Sequence, residues 1–265
     1  MTLTPEAYPS WLSAAAEIAR EAGALLKAHW RSGVTVHSKG YRDIVTAADL
    51  AAEELILARL RAAFPGHAIT SEEAGADAEA ASTRWLVDPL DGTTNFAHHN
   101  PNFCVSLAVA QDGAPVVGVI YDPLRDFLFT AARGAGAALN GAPLHSSGVT
   151  TLADATFAAD WPRKPRPRQE LWQRAGKLMV EARTMRVLGA AALNMAYVAA
   201  GWFDLYLAQV LGPWDMAAGV LIAQEAGAVA ATLDGAPWTL AHPDLVLAAT
   251  PGLLEAYLKV QGDDL

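Results

Sequence analysis

Cysteine is almost absent. Cys104 stands alone in 265 residues, which excludes an intramolecular disulfide and any cysteine-built zinc site. Positive charge is scarce too: 19 Lys and Arg face 28 Asp and Glu, for a net charge of −9. Nucleic acid and anionic membrane are therefore not expected as partners. No uninterrupted apolar run reaches the ~18 residues of a membrane span; the most apolar stretch, Leu188 to Trp214, is broken by Asn194, Asp204 and Gln209. The opening MTLTPEAYPSW lacks the basic-then-apolar pattern of a signal peptide. Low-complexity sequence is missing apart from WPRKPRPRQE at 161–170. These absences predict a cytoplasmic protein that would need metal ions or a local basic patch to handle an anion.

What is plentiful is apolar: 52% of the residues are hydrophobic and only 18% charged, enough for a large packed core. We read residues 1–265 as one domain with two halves, 1–146 and 147–265. Helical periodicity runs from Ser10 to Trp30, closed by Arg31-Ser32-Gly33, and from Ala47 to Phe64. A short strand at Ala68–Thr70 leads into Ser71-Glu72-Glu73. Strands follow at RWLVDPL, Phe103–Ala110, Val116–Tyr121 and Phe127–Ala131, with QDGAP as a hairpin signal. After Ser146 helices and strands alternate: ATFAAD, RQELWQRAGKLMVEA, TMRVL, AAALNMAYVAAG, FDLYLA, Trp214 to Ala226, two strands around Asp234-Gly235 and in DLVLAA, and a last helix in GLLEAYLKV. Mixed elements with hairpins predict layered α/β with mixed sheets rather than a purely parallel doubly wound sheet.

Acidic residues stand where surface charge would be odd. Asp88 ends an apolar strand, and Asp91 follows three residues on, past Pro89. Asp49 opens the second helix, Glu72 and Glu73 follow a strand, and Asp215 opens an apolar helix. Singly, each has a plain explanation as a turn residue, a solvated charge or a first-turn acid that favours the helix dipole. Together they suit a hard divalent cation, because oxygen ligands without a His or Cys cluster point to Mg²⁺ rather than Zn²⁺. Gly92-Thr93-Thr94 adds room for backbone N–H groups to approach a phosphate. Metal, oriented water and phosphate cradle make a phosphate-ester hydrolase.

These motifs resemble the inositol monophosphatase family of Mg²⁺-dependent, lithium-sensitive phosphatases. WLVDPLDGTTNF matches its signature almost position by position; KGYRDIVTAAD, SEE, LGAAALNM and PWDMAAGVLIAQEAGA resemble its other motifs, in order. The resemblance implies a five-layered αβαβα sandwich of the inositol monophosphatase / fructose-1,6-bisphosphatase type, a homodimer, and two or three Mg²⁺ per site. Glu72, Asp88 and the Leu90 carbonyl would hold one ion; Asp88, Asp91 and Asp215 a second; Glu72, through waters, a third. Asp49, Glu72 and Thr93 are the implied catalytic residues, with Asp49 and Thr93 orienting the attacking water. Asp91, Gly92, Thr93, Gly189, Ala190, Ala191 and Asp215 would contact the substrate, a small polyol, sugar or related phosphate.

Three positions depart from the family pattern. Ser71 replaces a common Gly, Ala190 a common Thr, and Ala208 stands where inositol-specific members carry a Glu that binds ring hydroxyls. A pocket without that acceptor discriminates less, so histidinol phosphate, fructose 1,6-bisphosphate and nucleotide-derived phosphates are alternative substrates. The covalent haloacid-dehalogenase-type mechanism is disfavoured, since its D-x-D spacing differs from the D-x-x-D here. A catalytically weak protein- or RNA-binding role would lean on Arg163, Lys164, Arg166 and Arg168, which we read as a solvated, proline-stiffened loop. His98 and His99 read as loop residues near the site mouth, and Trp85 and Trp214 as packing.

Overall fold

The computed structural model describes residues 7–32, 36–77 and 81–262. Gly33, the expected helix terminator, lies outside them. In chain order the elements are α1 (Tyr8–Ser32), β1 (Val36–Gly40), β2 (Asp43–Thr46), α2 (Ala47–Ala63), β3 (Ala68–Ser71), β4 (Gly75–Ala76), β5 (Thr83–Asp91), α3 (Thr93–Ala97), β6 (Cys104–Gln111), β7 (Ala114–Asp122), β8 (Phe127–Ala132), β9 (Ala137–Leu139) and β10 (Ala142–Pro143). The second half contributes β11 (Thr156–Ala159), α4 (Pro165–Glu181), β12 (Thr184–Arg186), α5 (Ala191–Ala199), β13 (Leu205–Gln209), α6 (Pro213–Glu225), β14 (Val229–Ala231), β15 (Asp244–Ala248) and α7 (Pro251–Gly262).

Two sheets stack with helices between and outside them. The eight-stranded sheet has the order β10-β9-β8-β7-β6-β5-β3-β4, and the five-stranded sheet β12-β11-β13-β15-β14. α1 and α2 cover the outer face of the first sheet. α5 and α6 pack on each other, on the inner face of that sheet and on the second sheet, whose far face carries α4 and α7. This is the expected αβαβα sandwich. Its layering explains the continuous apolar strands: β6 is buried along all but its last residue, because helices cover both faces of its sheet. Each wholly buried Val or Leu there contributes about 1.5–3 kcal/mol relative to exposure. α1 turns Trp11, Ala15, Ile18, Ala22 and Leu26 inward, the three-and-four spacing of a one-sided helix.

Two local expectations need correction, and one element was not expected. The segment from Lys164 to Arg168 is not a loop: α4 starts at Pro165, since a proline fits the first helical position, where its missing N–H costs nothing. Around Asp234-Gly235 only one described strand, β14, forms a ladder; Pro237 adds an isolated bridge to Ala231. The β1–β2 hairpin falls in a segment read only as a motif. Its exposed β1 has no apolar alternation to reveal it.

Candidate active site

The site grows from an interruption in β5. Asp88 pairs with Ser106 and Asp91 with Cys104, so β5 carries one residue more than β6 between those pairs. This is a β-bulge, and Pro89 is tolerated in it because the ladder lapses there. The Leu90 N–H donates to Asp88 Oδ1 at 3.0 Å, a turn closed by the Asp side chain. Gly92 then takes φ +90°, and a Cβ on it would lie 2.7 Å from the Asn102 carbonyl oxygen. Only glycine permits both the left-handed turn and that approach.

The bulge delivers Asp88 into a carboxylate cluster. Ligand oxygens of Glu72, Asp88 and Asp215 lie within 4.8 Å of one another, with Asp88 buried and the other two half-buried. Burial pushes Glu72 up to about 7, with the charge of Asp215 adding and that of Lys39 opposing. Asp215 also rises to about 7, from burial and then Asp91, while the Gly212 N–H opposes. Asp88 is held well above the usual carboxylate range by burial and by Glu72, Asp91 and Asp215. Burying like charges together this way is costly unless a cation joins them. An all-oxygen donor set with this excess of negative charge fits a hard divalent cation.

Asp91 lies outside that trio, although its charge raises both Asp88 and Asp215. Its Oδ1 accepts from the Ala191 N–H at 3.1 Å and its Oδ2 from the Ala192 N–H at 2.8 Å, so it satisfies free donors at the start of α5. Cys104 Sγ approaches Oδ2 at 3.6 Å. Burial and then the charge of Asp160 push Asp91 up to about 7, opposed by the two amides. On the other side of the bulge, Thr93 Oγ1 donates to Asp49 Oδ1 at 2.9 Å, with the Leu90 carbonyl an alternative acceptor at 3.1 Å. Asp49 is also the third residue of a capping box: its Oδ2 accepts from the Thr46 N–H at 2.9 Å, and Thr46 Oγ1 caps α2 in return. Burial raises the Asp49 pKa, against the Thr46 and Thr93 hydrogen bonds.

A cleft of about 680 Å³ gathers Glu72, Asp88, Leu90, Asp91, Gly92, Thr93 and Asp215, with Gly189 and Ala191 also on its lining. Ala190 is not on its lining but packs on Gly92, 3.3 Å from the position of a Cβ there. Asp49 supports the cleft from behind through Thr93. His98 and His99 are exposed and do not line it; the His99 ring packs edge-on against Trp30. Trp85 is fully buried and donates to His67 Nδ1.

Sequence reasoning missed two groups. Asp160, just past β11, accepts from the Gly189 N–H, Asn194 Nδ2 and the Tyr206 hydroxyl at 2.7–2.9 Å; it tethers the loop that precedes α5. Lys39 pairs with Glu73 at 2.5 Å and stands 3.7 Å from Glu72. An acid at the end of an apolar strand, as in ATFAAD, was the available signal for Asp160; Asp88 had already shown the same pattern.

Comparison with known proteins agrees with this geometry. The model of the inositol monophosphatase family matches residues 8–263. The chain belongs to the inositol monophosphatase family. Nus factor SuhB of Escherichia coli K12 is 39% identical over 258 residues, 96% of each chain. Inositol monophosphatase 1 of Solanum lycopersicum is 36% identical over 257 residues, 94% of this chain and 93% of that one. Among solved structures, the family member from Anabaena superposes with a TM-score of 0.87 at 33% identity, covering 97% of this chain and 98% of that one. In this family member no described helix is long and apolar enough to cross a membrane.

Proposed function

We propose that the protein is a Mg²⁺-dependent phosphomonoesterase that hydrolyses a small polyol, sugar or related phosphate by direct attack of water. One observation supports it above the rest: Glu72, Asp88 and Asp215 converge within 4.8 Å beside the Thr93–Asp49 hydrogen bond. Glu72, Asp88 and the Leu90 carbonyl would hold one ion, and Asp88, Asp91 and Asp215 another, with Glu72 supporting a third through water. Bound cations would neutralise phosphate charge and lower the pKa of water.

The chain's own groups do the rest. With its proton donated to Asp49, the Thr93 hydroxyl presents lone pairs that accept a hydrogen bond from the attacking water and aim it. Asp49 can take up a proton, since burial already favours its neutral form. Gly92, bare of side chain, leaves its own and the Thr93 N–H open to the phosphate. Asp91 is held by the α5 amides and cannot swing away when the substrate arrives. Gly189 and Ala191 line the wall that the alcohol meets, and Ala190 backs it. Ala208, also on the cleft, offers the alcohol no acceptor, so the range is broad or shifted from inositol. No aspartyl-phosphate forms.

The test is kcat/KM with Mg²⁺ over inositol 1-phosphate, fructose 1,6-bisphosphate, histidinol phosphate, glycerol 2-phosphate and nucleoside monophosphates. Failure to hydrolyse any of them sinks the reading, and an acid-stable phosphoprotein trapped during turnover sinks the direct-attack step. Inhibition by Li⁺, a homodimer in solution and a cytoplasmic location belong to the same reading. A second reading, a protein- or RNA-binding role, draws on the printed name Nus factor of the Escherichia coli relative and on Arg163, Lys164, Arg166 and Arg168. Salt-resistant RNA or protein binding by an inactive Asp88→Asn variant would favour it.

A further inference from the structure

Beside the catalytic cleft runs a second groove, of about 770 Å³, that the chemistry above leaves unused. One face of α4 forms its floor: Pro165, Arg168, Gln169 and Trp172 recur at three- and four-residue spacing and line the groove. The core-facing residues of the same helix are Leu171, Ala175 and Leu178, so the groove face is turned away from the interior. Trp161 stands over this face with its ring centre 5.3 Å from that of Trp172, at 37°. Trp172 is 55% exposed. An indole that leans on a second, tilted indole and is more than half exposed offers ring surface to another flat ring.

The electrostatics point to the same class of ligand. No acid lines the groove, although the chain carries a net charge of −9. Arg42 and Arg168 both line it, and neither forms an ion pair among the described residues. Arg168 Nε donates to the Pro162 carbonyl at 2.9 Å, which fixes its reach; the Arg42 guanidinium lies 5.0 Å over the Tyr41 ring. Planar guanidinium groups pair with acceptor atoms on a ring edge and stack on ring faces. Arg42, Trp161 and Arg168 also line the catalytic cleft, so the two depressions form one continuous surface.

We propose that this groove is a subsite for the alcohol portion of the substrate. It takes a phosphomonoester whose alcohol carries a planar heteroaromatic ring, as a nucleoside does. The phosphate lies at the carboxylates and the ring on Trp172, with its edge toward Arg42 and Arg168. This rests on the phosphatase reading for the phosphate end only. A simple polyol would fill the cleft and leave the indoles bare.

The experiment compares kcat/KM for glycerol 2-phosphate with that for the adenosine monophosphate isomer hydrolysed fastest, in wild-type, Trp172→Ala and Trp172→Phe proteins with Mg²⁺. Trp172 packs no core, so the variants fold. The ratio of adenosine ester to glycerol ester should fall about tenfold in Trp172→Ala and be largely kept in Trp172→Phe. A fall of less than threefold overturns the proposal, as does hydrolysis of glycerol 2-phosphate with no adenosine ester turned over. Titration calorimetry with adenosine itself separates this from the phosphatase reading. Heat seen with wild type and lost in Trp172→Ala supports the subsite even if no ester is hydrolysed. No heat at millimolar adenosine, or equal heat in both proteins, overturns it.

Discussion

The floor and the wall of the cleft are built on opposite terms. The floor comes mostly from the first sheet and α2, with Asp215 added by α6. Several of its residues are specified twice: Asp88 by the bulge and the Leu90 N–H, Asp49 by the capping box and the Thr93 hydroxyl, Gly92 by φ and by the Asn102 carbonyl. The wall comes from the second half, where Gly189, Ala191 and Ala208 mostly leave room. A reacting centre needs fixed oxygens, whereas an alcohol site needs a shape, and small residues define a shape by default. The chemistry is therefore rigidly encoded and the choice of alcohol loosely so.

The contrast can be broken first at the floor. Asp88→Asn should reduce phosphate release about a thousandfold, since bound cations supply several kcal/mol of charge stabilisation. Its metal-free Tm should equal or exceed that of wild type, because one of the repelling charges is gone. Normal turnover in this variant would remove Asp88 from the metal site. Asp91→Asn is a poorer probe: an amide Nδ2 would face the Ala191 or Ala192 N–H and unseat α5 as well.

A smaller effect appears with pH. Glu72, Asp91 and Asp215 rise to about 7 in the fold, against about 4 for unfolded carboxylates. Between those values the folded state holds more protons, so stability falls as pH rises from about 4 to about 7 and stays low above it. Metal-free protein should melt higher at pH 5 than at pH 8, and saturating Mg²⁺ should erase the gap by stabilising the ionised cluster. Equal metal-free melting at the two pH values would contradict the raised carboxylates.

At the wall, Ala208→Glu should raise kcat/KM for inositol 1-phosphate about tenfold relative to glycerol 2-phosphate, by giving ring hydroxyls an acceptor. Ala208 is 1% exposed, so a lower Tm should accompany the change; an unaltered substrate ratio would show that the position does not read the alcohol. The least effect is expected at Arg166, whose guanidinium pairs with Glu170 four residues on at the exposed start of α4. Arg166→Ala should leave both Tm and turnover unchanged within error. A clear loss of turnover there would bring the basic segment into the site.

How much of this could be read beforehand follows the same division. The floor's turn was legible because its signals are local: Pro89 and Gly92 for the bend, Asp88 at the end of an apolar run, Asp49 for the start of α2. The layer order came through the family resemblance, as periodicity alone could not stack five layers. What escaped was long-range. Asp91 meets amides 100 and 101 residues away, and Asp160 meets partners 29 to 46 residues on. No window of sequence holds both ends of such a bond. The start of α4 escaped for another reason: prolines and arginines at 162–168 suggest a loop, and only the seating of Pro165 at the first helical position makes them a helix.

The hold of Asp91 on α5 also bears on how the chain is made. The strands of the first sheet are complete once residue 143 has been synthesised, yet the two amides that satisfy Asp91 belong to residues 191 and 192. Until those emerge from the ribosome, the nascent first half carries crowded acids with one of them uncapped, and α6 is not there to cover its inner face. Vectorial synthesis should thus yield a loose precursor that locks late, once α5 and then α6 have arrived.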